Sequence, residues 1–277
     1  MNDPSLFVSP LVRQAARNLC HLEFLAENPV WTRWLCRRDF WCTRRMMART
    51  PDEAAAWLPA LAFAVSRERN TFVLPEFAWQ PLPEPLPREA LPWRDILIRN
   101  WEQRPVPTEE EKSIRLFALV RLDRRAERLP EWLAEARRAM DLEPKNRHPR
   151  LAALAGWRPR PGDGQPHRGK RGAAQAWVRF WERRYRTPGS ELEGLIAATA
   201  LLHLAEAGWL PSGPSPERLR EEFRQRVELW PMRSWEDAEI LRMLLVSVPA
   251  DASAPERRRQ DIMAWLELTG KDVDWGK

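Results

Sequence analysis

Glycine is scarce, at 11 of 277 residues. Glycine inside a helix costs about 1 kcal/mol relative to alanine, so its rarity points to a chain dominated by helices. It also leaves little material for loops that cradle phosphates. Three cysteines, Cys20, Cys36 and Cys42, are too few for a disulfide framework and fit a reducing compartment. No apolar run approaches the roughly 20 residues a membrane-spanning helix needs. The longest nearly apolar stretch, residues 194–205, contains Thr199 and His203. The opening residues Met-Asn-Asp-Pro-Ser-Leu-Phe lack a basic region followed by an apolar one, which predicts a cytoplasmic chain. Gly-x-Ser-x-Gly, His-Glu-x-x-His and the dinucleotide fingerprint are all missing. The sequence therefore predicts no enzyme activity and no cofactor.

Arginine, proline and tryptophan are abundant instead. Of 45 basic residues only five are Lys, and the net charge is +6. Such an excess invites acidic partners, although codon bias of a GC-rich genome also raises arginine. The 16 tryptophans exceed what that bias supplies. Trp57, Trp132, Trp177, Trp181, Trp209, Trp230 and Trp265 sit among apolar neighbours in helical patterns. They read as core anchors where helices cross rather than as a ligand box.

Proline punctuation and capping signals predict an all-α fold of about twelve short helices. One opens at Ser9-Pro10 and runs to Leu25, and a second covers residues 30–49. Thr50 to Glu53 is a capping box for a third, which carries Leu58, Leu61 and Val65 and which Pro59 should kink. Others start at Pro92, at the Thr108–Glu111 box, at Pro130 and around Leu151. Five more start near Ala173, at Ser190, at Ser215-Pro216, at Ser234 and near Pro255. In the Ser190 helix Leu192, Leu195, Ile196, Thr199, Leu202 and Ala205 keep a period near 3.6, and Gly208 ends it. Phe72-Val73-Leu74 is the one strand-like triplet. Six prolines over 75–92 predict an extended or polyproline II segment that docks through Phe77 and Trp79. Residues 158–172, rich in Pro and Gly, read as a mobile basic loop. The expected division is thus 1–74, 75–92, 93–157, 158–172 and 173–277. Helix must pack on helix, as a bundle or as an α-solenoid of antiparallel pairs.

The run Trp-Leu-Ala-Glu-Ala-Arg-Arg-Ala-Met-Asp-Leu-Glu-Pro over 132–144 resembles the second helix and closing turn of a tetratricopeptide repeat. Ala136, Ala139 and Pro144 take the small, small and proline places. With the preceding helix the likeness covers 113–146, where Val120 replaces a usual small residue, and a shift of about 34 residues finds no second copy. The resemblance implies helical-hairpin geometry.

Each chemical motif has a plainer reading beside it. Cys20, His21, Cys36 and Cys42 invite a zinc site, but Cys36 and Cys42 lie about 120° apart on one helix and cannot converge alone. Buried small hydrophobes account for them better. Residues 164–171 spell most of a phosphate-binding loop, yet Arg171 stands where a hydroxyl should bind Mg²⁺ and no strand precedes. His203 with Glu206 and Glu193 would be the first suspects in a helical enzyme, against the reading of His203 as a core histidine. His148 and His167 are expected in loops without a carboxylate at useful spacing.

The basic clusters carry the remaining signal. Residues 30–50 hold six arginines and one aspartate. Trp31, Arg33, Trp34, Arg37, Arg38, Trp41, Arg44 and Arg45 interleave there, and Arg160, Arg168, Lys170 and Arg171 line the basic loop. Arg257 to Arg259 form a third group. These residues are the expected contacts of a non-enzymatic helical adaptor or scaffold that binds another protein, within a multi-subunit bacterial complex. The alternative is a nucleic-acid-binding protein that uses the same helix and loop.

Overall fold

The computed structural model describes residues 58–67, 77–78, 91–159, 171–210, 213–231 and 234–248. Nine α-helices, rather than about twelve, and no strand occur among these residues. No described helix is long and apolar enough to cross a membrane. The helices expected over 10–25, over 30–49 and near Pro255 lie outside the described residues, as do the cysteines, Trp57, Trp265, His167, the 72–74 triplet and Arg257 to Arg259. The chain divides into two compact units, Met1–Leu122 and Asp123–Lys277.

The first unit contains α1 (Leu58–Arg67), α2 (Leu91–Gln103) and α3 (Glu109–Leu122). α2 packs on both α1 and α3 and buries Leu97, Ile98 and Trp101. Thr108 and Glu111 form the expected reciprocal box: the Glu111 amide donates to Thr108 Oγ1 and the Thr108 amide to Glu111 Oε2, both at 3.2 Å. Polar side chains then tie elements together through backbone carbonyls. Arg104 Nη1 donates to the Val65 carbonyl at 2.9 Å, Asn100 Nδ2 to that of Ala62 at 2.6 Å, and Arg115 Nη1 to that of Arg104 at 3.1 Å. Arginine near a helix C-terminus satisfies acceptors that the helix itself cannot reach. Phe77 and Ala78, inside the stretch expected to be extended, are helical and buried. No proline falls between Pro75 and Pro81, so a turn can form there, and Arg121 Nη1 donates to the Ala78 carbonyl at 2.6 Å.

Among the described residues the second unit holds a 3-10 turn (Ala126–Arg128) and six helices: α4 (Leu129–Met140), α5 (Pro144–Ala155), α6 (Arg171–Arg186), α7 (Glu191–Glu206), α8 (Pro216–Leu229) and α9 (Trp235–Ser247). α4 packs on α5 and α6, α5 on α7 and α9, and α7 on α6 and α8. Residues on either side of 160–170 therefore belong to one packed body. α5 is longer than the short helix expected around Leu151, because it begins at Pro144 and carries Pro149 in its second turn.

α7 sits at the centre. Every residue from Leu192 to Leu204 is buried, so this helix has no solvent face over that span. The 3.6-residue spacing of its large residues suggested one apolar face; Ala197, Ala198, Ala200 and Leu201 bury the others too. A helix apolar all round belongs in a core. A Cβ at Gly194 would stand 2.9 Å from Arg226 Nη1 of α8, the far end of a side chain that can move aside. Both ends of α7 are closed as the sequence foretells. Ser190 Oγ accepts from the Glu193 amide at 3.1 Å. At the other end Gly208 takes φ +73°, with its amide on the Ala205 carbonyl and the Trp209 amide on the Leu204 carbonyl. Those two bonds form a Schellman motif, whose left-handed residue favours glycine.

Tryptophans fill the space around α6. Trp157 meets Trp177 edge-on at 6.2 Å and Trp209 at 5.5 Å, while Trp181 meets Trp177 and Phe180 edge-on at 5.5 and 5.0 Å. Trp132, Trp177, Trp181 and Trp209 are buried as expected, and Trp101 and Trp157 join them, whereas Trp230 is half-buried. Trp181→Ala is expected to lower stability by about 3–5 kcal/mol. Leu229→Ser, at a position 81% exposed, should stay within about 0.5 kcal/mol. Chemical denaturation of both variants checks this, and equal effects would contradict the core assigned here.

Candidate functional site

Trp31, Arg33, Trp34, Arg37, Arg38, Trp41, Arg44 and Arg45 lie outside the described residues, and so do Arg160, Arg168 and Lys170. Arg171 opens α6. That helix carries a basic surface of its own. Along it Gly172, Gln175, Arg179, Arg183 and Arg186 are exposed, while Ala174, Trp177 and Trp181 are buried. One side is thus anchored by indoles and the other faces water. Arg179 to Arg186 spans about 10 Å at 1.5 Å per residue.

Charge balance separates this helix from its neighbours. α6 has five arginines against Glu182 alone, a net of +4. α8 has four arginines and four glutamates, and α4 has two of each. Arginines of α8 reach carboxylates: Arg226 pairs with Glu222 at 2.7 Å, Arg220 with Glu206 at 2.9 Å, and Arg224 with Glu221. The basic residues of α5 are also engaged, Arg150 with Glu135, Arg147 with Glu193, and Lys145 with Glu143. On α6, Arg179 Nη2 donates to Gln175 Oε1 at 3.3 Å, and Arg186 stands 4.0 Å from Glu182. The Arg183 carbonyl accepts from the Thr187 amide at 3.0 Å and hydroxyl at 2.9 Å, while its guanidinium meets no carboxylate among the described residues. Spacing of four and three residues puts Arg179, Arg183 and Arg186 on one face, a sequence signal less dense than the clusters at 30–50 and 158–172.

A second polar cluster joins α5 to α7. Glu193, 3% exposed, accepts from Arg147 Nη1 at 3.3 Å through Oε1 and from the Gly189 amide at 3.2 Å through Oε2. His148 Nε2 lies 3.7 Å from Glu193 Oε1 and 3.4 Å from Ser190 Oγ. His148 is helical, not in a loop, and it does face a carboxylate. The partner is 45 residues away in sequence, so local spacing could not show it. Serine, histidine and glutamate together suggest a nucleophile and its base. The geometry differs, because serine and carboxylate share one ring nitrogen, whereas a catalytic relay places them on opposite nitrogens. Ser190 Oγ is besides the α7 cap. The cluster holds helix ends.

The remaining suspects do not converge. His203, 2% exposed, lies 3.1 Å through Nε2 from the Ser247 carbonyl at the end of α9, as a core histidine would. Glu206 turns to Arg220 instead. Glu193 stands ten residues from His203 along α7, about 15 Å away by helical rise. No group of three or more metal-binding side chains occurs among the described residues. Elsewhere, burial alone would push the Asp123 carboxyl up, but hydrogen bonds and charge from Arg125, with the charge of Arg128, hold it below its ordinary range. Burial, the Glu222 hydrogen bond and the Glu222 charge push the Tyr185 hydroxyl up.

Comparisons find no matching protein family, no similar curated protein and no similar solved structure. The chain's own residues must carry the functional reading.

Both described histidines resist protonation. Desolvation lowers His203 well below its ordinary 6.5, helped by the charges of Arg158 and Arg124. It lowers His148 too, with Glu193 opposing and Arg147 adding to the effect. Unfolded histidine takes up a proton near pH 6.5, where folded His203 stays neutral and folded His148 binds a proton less readily. Stability is therefore complete above that pH and falls as pH drops, by at most about 1.4 kcal/mol per pH unit for each histidine. Denaturation midpoints from about pH 7.5 to about pH 5 should decline, and less steeply for His203→Gln. A flat profile would contradict the assignment.

Proposed function

We propose that this chain is a non-enzymatic helical scaffold that binds another protein, with the exposed face of α6 as a contact surface. The observation that carries this reading is the unbalanced charge of α6 beside helices whose charges are matched or engaged. Arginine is enriched at binding hot spots because its planar fork bonds carboxylates in pairs and sheds water more readily than lysine. The buried indoles beneath hold the α6 backbone, so the guanidinium stems start from fixed positions. Preorganisation of that kind reduces the entropy lost on association.

The packing order supports a repeat-like platform. α4 pairs with α5 and α6 with α7, while α4 lies on α6 and α5 on α7. Stacked helix pairs contact their neighbours in that order. The tetratricopeptide-like run around 113–146 falls on α3 and α4, which belong to different units, so this order is argued for α4 to α7 alone. The packing of α9 on α5 departs from that order and closes the stack as a bundle does. Contacts through residues 30–49 and the basic loop 158–172 belong to the same scaffold reading, and the multi-subunit complex is its expected setting.

Co-purification of the tagged full chain from its native cells tests the proposal. A defined protein set should be retained after nuclease treatment and depleted at least about tenfold by Arg179→Glu, Arg183→Glu and Arg186→Glu together. Retention of nucleic acid alone, abolished by nuclease, would replace the scaffold with the nucleic-acid alternative.

A further inference from the structure

We infer that the α6 face takes an acidic amphipathic helix of a partner protein, and this inference rests on the reading of α6 as a contact surface. The exposed positions 172, 175, 179, 183 and 186 follow steps of three, four, four and three. That is the rhythm with which one helix follows another along a common seam. A straight row of guanidiniums on it meets carboxylates of a second helix spaced by the same period, in bidentate pairs.

Two features favour such a helix over a nucleic-acid backbone. Single strands bind basic grooves with aromatic rings free to stack on bases. Around this row the rings are engaged: Trp177 and Trp181 are buried, and Arg184 lies over the Phe180 ring at 5.4 Å. Carboxylates also interrupt the surface. Glu182 lies beside Arg186, and the Tyr185 hydroxyl bonds Glu222 of α8. A polyphosphate meets repulsion at those points, whereas a protein side chain pattern can match both signs.

The test is fluorescence anisotropy on the full chain. The probe is a labelled 21-residue Ala/Gln/Glu peptide with glutamates on one helical face. Controls are a peptide of the same composition with glutamates spread around the helix, a 20-nucleotide oligothymidine and a 20-base-pair duplex. The one-faced peptide should bind at low salt at least about tenfold more tightly than its scattered counterpart, and Arg179→Glu, Arg183→Glu and Arg186→Glu together should remove that difference. Circular dichroism of the triple variant should be unchanged, since all three positions are exposed. Equal binding of both peptides, or an unchanged preference in the triple variant, overturns the inference. Tighter binding of either oligonucleotide, lost in the triple variant, assigns the face to nucleic acid. The scaffold proposal fails separately, when native co-purification yields no nuclease-resistant protein sensitive to the same substitutions.

Discussion

A helix that water never reaches must settle every polar group within itself and its immediate surroundings. α7 imposes this on the second unit over thirteen consecutive buried residues. Its first amides are met by Ser190 and its last carbonyls by the turn at Gly208. Glu193 enters the core accompanied by Arg147 and the Gly189 amide. The positive end of the helix adds to that stabilisation. His203 enters neutral, on the Ser247 carbonyl. Glu193 and His203, which first resemble catalytic equipment, are thus explained by the cost of burying a polar group without a partner.

The same constraint shapes arginine use. Inside the first unit Arg104 and Arg121 are buried and tie separate segments through backbone carbonyls. On α5, Arg147 and Arg150 serve buried or half-buried carboxylates. Once these structural duties are assigned, the surplus that composition advertises narrows to surfaces where the charge has nothing to answer. Among the described helices α6 is that surface.

Local signals of the fold were legible from the sequence. The box at Thr108, the serine caps at 190, 215 and 234 and the glycine stop at 208 each depend on residues within about five positions of one another. Burial of Trp132, Trp177, Trp181 and Trp209 followed from size and apolar neighbours. What periodicity could not reveal was the all-round burial of α7, because alanines on its remaining faces read as neutral filler until neighbours cover them. Nor could it pair His148 with Glu193 or Arg104 with Val65, contacts made only when distant segments meet. The helical stretch at Phe77 was hidden by the prolines on either side. The arginine row of α6 needed only its spacing, but three residues spread over two turns are less conspicuous than a dense cluster.

Native-state hydrogen exchange tests the central claim most directly, that α7 is the enclosed axis about which the second unit is built. Amides from Leu195 to Leu204 should exchange only through global unfolding, with protection equal to the full stability of the unit and greater than that of α8, whose outer face meets water. Exchange of those α7 amides through local opening, at rates matching or exceeding those of α8, would contradict it.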